Sequence, residues 1–65
     1  MITIDQKVKV ECTDTGVVAD GVITRIHRDG FDVSLGTLTI RLKKYRVGIY
    51  VGEQAGMEFV VKTDV

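Results

Sequence analysis

The residues best suited to chemistry form a run of cations on one short segment. Arg41, Lys43, Lys44 and Arg46 place four positive charges within six residues, with Tyr45 among them and no acid interrupting. Cations grip phosphate oxygens, and an aromatic ring offers a face on which a base stacks. With Tyr45 or Tyr50 as the platform, the segment has the composition of a nucleic-acid contact. On a strand Arg41 and Lys43 share a face, and a kink near Lys44 brings Arg46 to join them. The competing reading is a solvated charged face that protects a strand from edge-to-edge aggregation. Arg25, His27 and Arg28 make a second cationic edge, which Lys44 extends. Asp29 and Asp32 lie close enough to neutralise it, and a lone His is ordinarily just solvated.

Other constellations carry less. Asp14-Thr15-Gly16 spells the triplet of aspartic proteases, which need two such carboxylates sharing one proton. The same residues suit a plain turn, where Asp bonds locally and Gly accepts a positive φ, and the chain is short for a protease protomer. Cys12 alternates in phase with Val8 and Val10, the pattern of a core position. A nucleophilic role would need a base beside it, and His27 is the only His. One Cys and one His far apart lack metal-ligand spacing. Gly48, Gly52 and Gly56 recur every four residues, but no helix follows them to receive a phosphate. No catalytic residue, metal or cofactor is expected.

The elements that position these residues are strands. Val8, Val10 and Cys12 alternate with Lys7, Lys9 and Glu11; Phe31, Val33 and Leu35 with Asp32 and Ser34; Leu38, Ile40 and Leu42 with polar neighbours; Met57, Phe59 and Val61 with Glu58 and Lys62. Such a period of two marks half-buried strands, and abundant Val, Ile and Thr favour the pleated state. The pattern predicts strands over 3–12, 17–28, 31–35, 38–43, 45–51 and 57–63, with no loop between the fourth and fifth. Asp29-Gly30 predicts a type I′ hairpin and Gly36-Thr37 a type II′ one. Thr13–Gly16 and Gly52–Gly56 read as wider loops. The apolar phase slips along 17–28, which predicts a bulge or sharp bend with Gly21 as the candidate point. Short antiparallel strands in so small a chain must curl to bury anything. The expected fold is all-β: one domain over 1–65, a small, strongly bent five-stranded antiparallel barrel.

Composition bounds the function. The chain has 65 residues, 45% of them hydrophobic, which excludes a disordered tail. Nine Lys and Arg balance nine Asp and Glu. That zero is an average: residues 5–32 hold six acids against four cations, whereas 41–46 hold four cations alone. A chain of this length buries only about 60% of the surface its unfolded form exposes. One Cys cannot staple it, so self-association is the remaining remedy. Asp5 interrupts the opening apolar residues well short of a secretory leader, and no stretch approaches a membrane span. With a lone Cys, a cytoplasmic location without membrane contact is expected.

Two small-barrel families share these features. Val8-x-Val10 leads to Gly16, four residues, Gly21, then Ile23 and Ile26, then Asp29-x-Phe31-x-Val33-x-Leu35. Over residues 8–35 this resembles the first motif of the Sm and Sm-like RNA-binding family. The stretch from Gly21 to Asp29 is about two residues longer than the family's usual spacing. The chain has no Asn to match the one that reads a base in many eukaryotic members, and the family's N-terminal helix is missing from the pattern. Tyr45–Val51 is a hint of the second motif. The hairpin Gly21–Ile26 with Asp29-Gly30-Phe31-x-Val33 is similar to that of Tudor or KOW barrels. Tudor recognition of methylated residues requires an aromatic cage, and only Phe31, Tyr45, Tyr50 and Phe59 are available.

The Sm-like resemblance implies a non-enzymatic barrel that forms a homo-oligomeric ring and binds RNA or another single-stranded nucleic acid. Residues 38–51 of one copy would pair with 57–63 of the next, burying Val47, Ile49, Val51 and Val60. The alternatives are a Tudor or KOW-type protein-interaction module and a small inhibitor or scaffold.

Overall fold

The computed structural model describes residues 2–63. Among them every regular element is a strand: β1 Lys7–Cys12, β2 Val17–His27, β3 Gly30–Leu35, β4 Leu38–Arg46, β5 Ile49–Gln54 and β6 Met57–Lys62. Each strand pairs antiparallel with the next in sequence, and β6 returns to β1 to close a barrel. The expected all-β bent barrel is what the chain forms, with six strands in place of five.

The six strands are those the alternation marks, but the boundary between the fourth and fifth is displaced by a turn that the alternation hides. Residues 45–51 are not one strand: Arg46 pairs with Ile49, and Val47-Gly48 forms the turn between them, with Gly48 at φ 81°. Val47, Ile49 and Val51 keep a spacing of two straight through a two-residue turn, so the pattern does not break where the chain reverses. At the start, 3–6 are not strand; Asp5 has φ 70° and its amide bonds the Ile23 carbonyl before β1 begins at Lys7.

The inward residues are those the alternation selects. Val10, Cys12, Ile23, Phe31, Val33, Ile40, Leu42, Phe59 and Val61 make the core, and Val8, Leu35, Leu38, Tyr50 and Met57 pack against it. Each fully buried aliphatic or aromatic side chain contributes about 1.5–3 kcal/mol. The phase slip in β2 is a bulge between Ile23 and Arg25. It lies just beyond Gly21, whose missing side chain instead leaves room for Val33 and Val10.

Turn chemistry departs from the expectation at one hairpin. His27 pairs with Gly30, so Arg28-Asp29 occupy the turn, and neither has a positive φ. The predicted type I′ turn at Asp29-Gly30 is therefore not formed. Gly30 is needed for a different reason: a Cβ there would collide with the Leu42 carbonyl oxygen. Gly52 on β5 has the same relation to the Arg41 carbonyl oxygen. Two glycines thus let β3 and β5 close in on β4 from both sides. At Gly36 the φ of 62°, followed by a negative one, has the signs of the expected type II′ turn.

Candidate functional site

The strand order decides which cations meet. β2, β3 and β4 are consecutive neighbours, and their register aligns Arg25 with Asp32 and Asp32 with Arg41. The next row aligns His27 with Gly30 and Gly30 with Lys43. Directly opposed residues share a sheet face. Ile40 and Leu42 point into the core, so Arg41 and Lys43 point out. The two cationic edges of the sequence are therefore one surface, with β3 as its floor.

Two carboxylates lie within that surface. His27 Nε2 is 2.9 Å from Asp32 Oδ1, and both side chains are partly buried. Arg41 Nη2 reaches Asp29 Oδ1 at 4.0 Å, an exposed and weak pair. Residues 25–46 hold six Lys or Arg against these two Asp. The rest of the chain holds three Lys against seven acids. The molecule is neutral in sum and polarised along its sequence.

The kink near Lys44 is present as a bulge between Lys44 and Arg46. Tyr45 occupies it, 67% exposed, with the Arg46 guanidinium carbon 5.2 Å from its ring centroid. Tyr50 sits differently. Its ring centroid lies 4.7 Å from that of Phe31, against the core, and it pairs with Lys44 across the ladder. Phe31 and Phe59 are buried. The four aromatics thus do not gather on the surface as a cage. The Lys44 amide bonds the Asp29 carbonyl at 2.7 Å, which ties the basic strand to the Arg28-Asp29 turn.

Comparison with protein-family models, curated proteins and solved structures returned no match.

The remaining motifs have structural employment. Asp14 Oδ2 accepts the Glu58 amide at 2.9 Å, and the Thr13 hydroxyl donates to Glu58 Oε1 at 2.7 Å, pinning the 13–16 turn to β6. Cys12 is buried, with its sulfur 3.8 Å from that of Met57. Among the described residues no group of acids, Cys and His could hold a metal, and no helix is long and apolar enough to cross a membrane.

The apolar positions predicted for self-association divide. Val51 and Val60 are direct partners and Ile49 is opposite Lys62, all on the outer face. Val47 is at the β4–β5 turn tip, away from that row. The backbone edges predicted to join copies are paired within the chain: β5 with β6 over its whole length, and β6 with β1. Val18, 55% exposed and aligned with Glu11 beside Val60, extends that outer face. The alternation missed it because 17–28 slips in phase.

Proposed function

We propose that the protein is a non-enzymatic nucleic-acid-binding barrel, acting on RNA or another single strand as a homo-oligomer. The observation that carries this reading is the merging of Arg25, Arg41 and Lys43 across β3, with Arg28 on the adjoining turn and Lys44 and Arg46 flanking the exposed Tyr45 along the chain. Guanidinium and ammonium groups bind phosphates along the strand, and Tyr45 takes a base. Tyr50 backs this surface rather than stacking a base, because its ring is held against Phe31. Self-association repeats the surface, so several weak phosphate contacts act together by effective concentration.

Fluorescence anisotropy with labelled single-stranded RNA at about 100 mM salt tests the reading. Lys43→Ala with Lys44→Ala should weaken binding and reduce the salt slope by roughly 0.7 for each phosphate no longer neutralised. Unchanged affinity and slope in that variant would remove the basic surface from consideration.

A further inference from the structure

We infer that β2 carries an open edge, over residues 17–20, that pairs antiparallel with the same edge of a second copy of this chain. The inference rests on the self-association in the reading above and is independent of nucleic-acid binding. β2 has 11 residues and β3 has 6. Their ladder begins where Val22 meets Ser34, and β3 ends at the next residue, Leu35. Residues 17–20 therefore run past the end of β3, paired with β1 alone. Both faces of this arm are uncovered. Val17 is 61% exposed and Val18 55%, and Ala19 and Asp20 are exposed with them. The backbone directions follow from alternation. The Ile23 amide donates to the Gln6 carbonyl and the Ile23 carbonyl accepts the Asp5 amide, both in the segment that leads into β1. Successive residues of an antiparallel strand turn their N–H and C=O groups to opposite sides. Val17, Ala19 and Gly21 thus face β1, Val22 faces Ser34, and Val18 and Asp20 aim at the side that β3 leaves open. Among the described residues no backbone hydrogen bond reaches Val18 or Asp20 from that side. Such an edge is a template for another strand.

A second copy of the arm satisfies its side chains as well as its backbone. With a twofold axis at Val18, the Val18 residues of the two copies exchange both of their free backbone groups. Val17 of one copy then faces Ala19 of the other, twice, and Asp20 faces Gly16, which has no side chain. The three exposed apolar residues cover one another, Val18 on the outer face and Val17 with Ala19 on the inner. No like charges are opposed. Asp20 keeps its ion pair with Lys9 of its own chain. Glu11, beside Val18 on β1, is three strand spacings from Glu11 of the other copy, about 14 Å, beyond the screening length of about 8 Å at physiological salt. The contact is small, so the dimer should form in proportion to concentration. It closes at two copies, because the same edge serves both.

Light scattering over a concentration series of the purified chain, without nucleic acid, is the first measurement. The mass should rise from 7.2 kDa towards twice that value. Amide exchange by NMR is the second. The Val18 amide should exchange about tenfold or more slowly at high concentration than at low, while those of Val17 and Ala19, which face β1, change little. Val18→Pro removes an amide that the barrel does not use, at an edge where proline is accepted, and should abolish the dimer. Val18→Lys and Val18→Glu each oppose like charges at the axis and should raise the dimer dissociation constant at least about tenfold. An equal mixture of those two sets an ammonium against a carboxylate and should recover the dimer. Circular dichroism checks each barrel, and if the proline variant does not fold, the charged pair carries the test. A wild type that is monomeric at every concentration overturns this inference and the self-association together. An assembly indifferent to the Val18 variants, or one whose Val18 amide exchanges freely, overturns this edge alone. RNA affinity, measured separately, decides the basic surface in either case.

Discussion

Ala55 holds a backbone shape that its side chain does not favour. Its φ is 55°, and Gly56 follows at 77°, so the β5–β6 hairpin uses the two left-handed positions of a type I′ turn. A left-handed conformation costs an L-residue roughly 1–2 kcal/mol, less for Asn, whose side chain bonds locally. Ala55→Asn should stabilise the barrel by about 0.5–1 kcal/mol, read as a higher urea midpoint at unchanged slope. A lower midpoint would mean that Ala55 is held by packing. The same residue-level view shows what the sequence can say of the site. Arg41, Lys43 and Tyr45 are exposed as their types suggest. Tyr50 has the same composition signal as Tyr45 but packs on Phe31, because its pairing with Lys44, next to the outward pair Lys43 and Val51, turns its ring to the core side. Asp20 is a simpler case: its hydrogen bond from Lys9, then the Lys9 charge, holds its carboxyl below the ordinary 3.8. The stabilisation this gives is present above that value and fades as pH falls through the lower folded one.

At the scale of elements, β4 is the strand around which the others are arranged. Gly30 and Gly52 bring its neighbours against the carbonyls of Leu42 and Arg41. Gly30→Ala and Gly52→Ala each force backbone to move and should cost about 2–4 kcal/mol, read by urea unfolding. An effect below about 0.5 kcal/mol would show that the sheet shifts freely there. Strand existence and the inward set were legible, because each inward position follows from alternation and a barrel wall needs only one buried face. Turn placement was less so. Asp29-Gly30 looks like turn chemistry, but the glycine answers a collision with β4 across the sheet, which no local pattern records. The meeting of Arg25 with Arg41 depends on two registers through β3, and the β2 bulge sets one of them.

At the scale of the molecule, charge and closure follow from one topology. Residues 25–46 form the end of β2 with β3 and β4, so the cation-rich part of the chain makes one side of the barrel. Closure depends on the β1–β6 seam, where Val10, Glu11 and Cys12 pair with Val61, Val60 and Phe59 and the bonds of Thr13 and Asp14 to Glu58 extend the join. Every other pairing joins strands adjacent in sequence. Those hairpins close short loops, whereas the seam closes nearly the whole chain at an entropic cost of roughly 3 kcal/mol. The order of events follows. The expectation is that hairpins assemble first and that the seam is absent from the rate-limiting state. Val61→Ala should therefore speed unfolding by about tenfold or more while leaving refolding within about twofold in stopped-flow measurements. A slowed refolding limb instead would place the seam early. On that expectation the β1–β6 seam governs the lifetime of the native barrel more than the speed of reaching it.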